Sequence, residues 1–140
     1  MLPMREKSVV GVFPAVRTNN AECLRIVEDA GYFVADLTTM EEARNICRTE
    51  EVPIVLAGEH ETEWRDLLHT GDHPPNVIVV SQQRSGDVLA EVLQNGGFDV
   101  VFTPVTAEAI RRELALAHHR WSRRKVTGEV RQRALRCLSA

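Results

Sequence analysis

Five short apolar runs, separated by longer stretches of helical period, constrain the fold of this chain most. The runs are Ser8–Phe13, Tyr32–Leu37, Pro53–Ala57, Asn76–Ser81 and Asp99–Phe102. The first is too apolar to have a solvated face. Short β-rich runs alternating with amphipathic stretches predict βα units around a parallel sheet.

The intervening stretches carry their own punctuation. Asn19 offers a cap to a first helix over Asn20–Ala30, with Glu22 three residues on, and Gly31 stops it. Thr39 and Glu42 form a capping-box pattern before a second helix with an apolar stripe of Met40, Ala43, Ile46 and Cys47. Trp64, Leu67 and Leu68 mark a short third helix ending near Thr70-Gly71. Asp72-His73-Pro74-Pro75 is then a turn, because two prolines fit neither a helix interior nor a central strand. A fourth helix spans about Ser85–Gln94, with Val88, Leu89, Val92 and Leu93 expected to face inward. Thr106 caps a fifth, with Ile110, Leu114, Ala117 and Trp121 on one face. Right-handed crossovers give a doubly wound sheet of order 2-1-3-4-5 with helices on both faces. Ligands of such folds sit at the carboxyl ends of the strands, here Phe13–Val16, Ala57–His60, Ser81–Gln83 and Phe102–Val105.

A chain of 140 residues, 44% apolar and 26% charged, suits one globular domain. The net charge of -3 hides an asymmetry. After Trp121 the chain holds six cations and the single anion Glu129, so the tail is +5 and the body -8. Residues 7–121 are read as the domain and 122–140 as a basic C-terminal extension, in the simplest case a solvated helix or linker. An acidic body argues against nucleic acid. Cys23, Cys47 and Cys137, an odd set without a CxxC pair, read as reduced thiols. The N-terminal residues are too charged for a signal peptide, and no apolar run approaches the ~20 residues of a membrane span. A cytoplasmic protein is expected.

The stretch Asn76–Val105 (NVIVVSQQRSGDVLAEVLQNGGFDVVFTPV) combines an apolar strand ending in Ser81, a helix closing on glycines, and an apolar strand ending before Pro104. In this it resembles the receiver (response-regulator) family, over roughly residues 7–121. Leu24–Tyr32 also looks like that family's first helix. The resemblance implies a flavodoxin-like (CheY-like) fold. It also implies that Ser81 is a retained switch hydroxyl, 22 residues before the family's lysine position, and that the Thr103–Pro104 bond is cis.

Receiver chemistry needs an aspartate acceptor, two further acids for a hard divalent cation, and a lysine for the phosphorylated form. None stands in place. Pro14 and Ala15 fall at the acid pair, and a shift of one residue gives Phe13 and Pro14. The acceptor position falls on Gly58 or, in the alternative register, Glu59; neither is a phosphorylatable aspartate. Thr103 replaces the lysine, and Val100 the aromatic switch residue. The chain is therefore expected to be a pseudo-receiver, with no enzymatic activity, no cofactor and no metal.

Other constellations are weaker. His60, His69 and His73 with Glu59, Glu61, Glu63 and Asp66 could form a metal cluster only if the helix end kept its spacing. Ser81 lacks a nucleophile elbow and an activating base, and no G-x-G loop follows the first strand.

The expected function is a phosphorylation-independent signalling or regulatory module that contacts a protein partner of a signalling or transcription pathway. The face expected to do so is formed by the fourth predicted helix, fifth strand and fifth predicted helix, with Ala90, Glu91, Gln94, Arg111, Arg112 and Glu113 exposed. Receivers commonly dimerise there, so a homodimer is expected too. The alternative is a small-molecule sensor or enzyme using the strand-end crevice, with Glu59, Ser81 and Thr103 as its polar groups.

Overall fold

The computed structural model describes residues 8–138, and of residues 125–134 and 136–138 the backbone alone. Strands β1 (Val9–Val12), β2 (Phe33–Asp36), β3 (Ile54–Gly58), β4 (Asn76–Ser81) and β5 (Asp99–Phe102) form one parallel sheet in the order β2-β1-β3-β4-β5. This is the order expected from the sequence. The helices are α1 (Pro14–Asn19), α2 (Ala21–Asp29), α3 (Met40–Thr49), α4 (Trp64–Leu67), α5 (Gly86–Gln94) and α6 (Ala107–Leu138).

Both faces of the sheet are covered, which is why the central strands read as unbroken apolar runs. Alternate residues go to opposite sides. Val10, Val12, Ile54, Leu56, Ile78, Val80 and Val101 pack with Cys23 and Val27 of α2 and Ile110, Leu114 and Ala117 of α6. Val55, Ala57, Val77, Val79 and Val100 pack with Ala43 and Cys47 of α3, Trp64 and Leu67 of α4, and Val92 of α5. Thr39 caps α3 through the Glu42 N–H at 3.1 Å, and Gly31, at φ +95°, ends the α2 segment in a conformation that side chains disfavour.

Several details correct the sequence reading. Residues 14–19 form a helix of their own, because Pro14 occupies its first position, where a fixed φ and a missing N–H suit the backbone. Asn19 thus lies inside α1. Asn20 stands at the junction with α2, without a side-chain capping bond. Leu93 is 50% exposed rather than inward, because the apolar sector of α5 runs past the sheet.

Of the two readings of the C-terminal extension, helix or linker, the backbone shows helix: α6 runs on past Trp121 to Leu138. Residues 122–138 are mostly good helix formers, with Gly128 the main exception. The helix is fastened on both sides of the expected boundary. The Asn76 side chain donates to the Ala117 carbonyl at 2.8 Å, and Arg124 donates to Asn76 Oδ1 at 2.8 Å. Trp121 is buried and lies against the His73 ring, centroids 4.1 Å apart. The side chains of Lys125, Arg131, Arg133, Arg136 and Cys137 lie outside the described residues, as do residues 1–7 and 139–140. No described helix is long and apolar enough to cross a membrane.

Candidate functional site

The register of the sheet builds the site at its carboxyl edge. Gly58, the last residue of β3, pairs with Val80, so Glu59 follows beside Ser81 at the end of β4. The Ser81 hydroxyl donates to Glu59 Oε2 at 2.6 Å and accepts the Gln83 N–H at 3.0 Å. Ser81 is fully buried, and the Glu59 side chain keeps 15% of its surface.

A second carboxylate closes the neighbouring position. The turn after β3 brings Glu61 back over Gly58, with the Glu61 N–H donating to the Gly58 carbonyl at 3.0 Å. Glu61 Oε1 accepts the Gly58 N–H at 2.8 Å, and its Oε2 accepts the Ala15 N–H at 3.2 Å. One carboxylate therefore ties β3 to the start of α1. A Cβ added at Gly58 would lie 3.0 Å from Ala15 Cβ and 3.3 Å from Glu61 Oε1.

The other positions singled out in the sequence fall around this pair. Pro14 opens α1 and is exposed, and Ala15 is half-buried. Thr103 donates its N–H to the Ser81 carbonyl at 2.9 Å, and the Thr103–Pro104 bond is cis. Val100 is buried. The crevice in which Glu59, Ser81 and Thr103 were to offer polar groups is altered, since Ser81 has no exposed surface and its hydroxyl is held by Glu59.

These residues do not fit a hard divalent cation. Pro14 and Ala15 supply no carboxylate, and both Glu61 oxygens face backbone N–H donors. Among the described residues no three His, Cys, Asp or Glu side chains converge, so the group around His60, His69 and His73 does not assemble. His73 packs on Trp121 instead.

Glu61 is the residue that sequence reasoning missed as a site element. The available signal was its spacing: an acid three residues after a turn can fold back on the earlier backbone N–H, as in the second half of a capping box.

The predicted interaction face is a second candidate region, formed by α5, β5 and α6. Ala90, Gln94, Arg111 and Arg112 are exposed there. Glu91 is exposed as well, but turns toward α4, where Arg65 donates to it at 3.2 Å. Glu113 is only half-buried rather than exposed, because it leans toward Asp99 at the sheet edge. Burial, then a hydrogen bond to Asp99 and that group's charge, push the Glu113 carboxyl from 4.5 up to about 7, against the opposing charge of Arg112. Leu93 and Leu116 are each about half exposed on the two helices.

No family model and no curated protein matches the chain. Solved structures do. A response regulator from Thermotoga maritima superposes with a TM-score of 0.67 at 18% identity, over 81% of this chain and 99% of that one. The chain has the receiver-domain fold. A CheY-like response regulator receiver domain protein from Methanospirillum hungatei JF-1 gives 0.66 at 14% identity, over 85% and 99% of the two chains. NtrX from Brucella abortus gives 0.76 at 11% identity, over 92% of this chain and 30% of that longer one. At such identities the receiver likeness is one of fold, and residue roles must be argued from the site itself.

Proposed function

We propose that this chain is a phosphorylation-independent receiver-like signalling module that acts by protein contact rather than by catalysis. One observation supports the reading: neither Gly58 nor Glu59, the two residues that can fall at the acceptor position, is an aspartate, and a side chain on Gly58 would meet Ala15 and Glu61. In this reading the aspartate is replaced by Gly58 or Glu59, its acid pair by Pro14 with Ala15, and the lysine by Thr103. Glu59 instead accepts the Ser81 hydroxyl at 2.6 Å, so the strand-end hydroxyl is engaged without any phosphoryl group.

The contact surface in this reading is the α5–β5–α6 face. Leu93, Leu116 and Ala90 supply exposed apolar area, with Gln94, Arg111 and Arg112 as its polar surround. The partner is a protein of a signalling or transcription pathway in the cytoplasm, or a second copy of this chain. Residues 7–121 act as the module and 122–140 as a basic arm extending α6.

The test has two parts. Acetyl phosphate or beryllofluoride with Mg²⁺ should leave the amide spectrum unchanged, and saturable Mg²⁺-dependent shifts around Glu59 and Ser81 would overturn phosphorylation independence. Leu93→Asp with Leu116→Asp should abolish self-association or partner capture while the circular dichroism stays native. Retained association in that variant would remove the face from the reading.

A further inference from the structure

A crevice of about 280 Å³ opens between α4 and α5, with Glu59 of the Glu59–Ser81 pair in its lining. Its floor is apolar, made by Trp64, Val88 and Val92. Its rim carries Glu59 and the Arg65–Glu91 ion pair. It has room for roughly ten non-hydrogen atoms, judged from the volume of about 30 Å³ that each water occupies in the liquid.

The Glu59 carboxylate is the informative group. Its side chain keeps only 15% of its surface, yet a single neutral hydroxyl, that of Ser81, donates to it, and only at Oε2. An ionised carboxylate offers about four acceptor sites, and one withdrawn from water is stabilised by charged donors. Among the described residues none stands at bonding distance. His60 Nε2 stands 3.8 Å from Oε1, on a side chain that is 87% exposed. Arg65, the cation on the rim, turns to Glu91 rather than Glu59: one terminal nitrogen bonds Glu91 at 3.2 Å, its guanidinium lies 5.9 Å from the Trp64 ring centroid, and its buried Nε has no acceptor among the described residues.

A partly desolvated anion at the edge of an apolar floor calls for a cation with an apolar body. We propose that the α4–α5 crevice binds a small organic cation, an ammonium or guanidinium group seated on Glu59, with its hydrocarbon portion against Trp64, Val88 and Val92. Glu59 and Glu91 together disfavour anions of the same shape. The crevice shares α5 with the contact face but not Leu93, Leu116 or Arg112, so either assignment can fail without the other.

The experiment uses the full chain and phenethylamine as the cation, with 3-phenylpropionate as the anionic control. Both are titrated while amide and Trp64 indole signals are followed. Phenethylamine should give saturable shifts at Glu59, Thr62, Trp64 and Gln83, with a dissociation constant on the order of 1 mM for a ligand of this size. Glu59→Gln keeps an acceptor for Ser81 but removes the charge, and should weaken binding about tenfold or more. Val88→Met fills the crevice without touching Glu59 and should abolish binding while the other signals stay native. Equal shifts from 3-phenylpropionate, undiminished binding by Glu59→Gln and Val88→Met, or no saturation up to roughly 20 mM amine would each overturn the assignment.

Discussion

The Glu61 carboxylate lies where a side chain on Gly58 would have to go. Its Oε1 accepts the Gly58 N–H at 2.8 Å and would stand 3.3 Å from a Cβ at that position. An aspartate placed at Gly58 alone therefore should not confer phosphoryl chemistry. Gly58→Asp is expected to lose about 1–3 kcal/mol through crowding against Ala15 and Glu61 and repulsion between the two carboxylates. Urea denaturation checks the loss. Adding Glu61→Ala should recover part of it, and beryllofluoride with Mg²⁺ should still produce no response.

Ser81 and Glu59 form the buried polar pair of the site. Ser81→Ala leaves the carboxylate without its hydroxyl donor and is expected to cost about 1–3 kcal/mol. Ser81→Thr retains the hydroxyl and should cost less. A double-mutant cycle with Glu59→Gln would measure the coupling directly, and a coupling near zero would show that the bond contributes nothing to stability.

Glu113 makes stability depend on pH. Its carboxyl titrates near 7 in the folded chain against an ordinary value of 4.5. Between those values the folded state binds more protons than the unfolded one, so stability falls as pH rises from about 4.5 to about 7. The penalty is complete above that range and absent below it. Glu113→Gln should thus raise the melting temperature at pH 8 by about 1–2 °C, allowing for solvent screening, and leave it unchanged near pH 4. An equal effect at both pH values would exclude titration as the cause.

Cys23 and Cys47 are buried free thiols, and burial pushes each up to about 11. Neither should react with iodoacetamide at pH 8 in the native protein, because the thiolate is the reactive form. Both should be modified completely in urea. Peptide mass mapping of native and denatured samples distinguishes the two cases, and rapid native labelling of either would contradict the packing of α2 or α3.

The sheet was legible in the sequence because strands buried on both faces leave uninterrupted apolar runs, and the glycines after α2 and α5 mark sharp stops. The short helix α1 was less legible. Pro14 can open a helix or a turn, and one buried residue, Val16, gives no periodicity. Leu93 was misplaced for a related reason: helical spacing defines a face but not how far the neighbouring sheet extends beneath it. At the site, the identities of Pro14, Ala15, Gly58 and Thr103 could be read directly, whereas the role of Glu61 could not. Glu61 becomes a site residue only when the turn after β3 aims it at two backbone N–H groups from separate segments.

The 32 residues of α6 span about 48 Å as one helix. Because the rod is gripped near its middle, at Ala117, Trp121 and Arg124, its distal half inherits the orientation of the domain. Each residue inserted after Arg124 would turn everything beyond it by about 100° and advance it by about 1.5 Å. The spacing between the domain and anything docked on the far end is thereby a rotational phase as well as a distance.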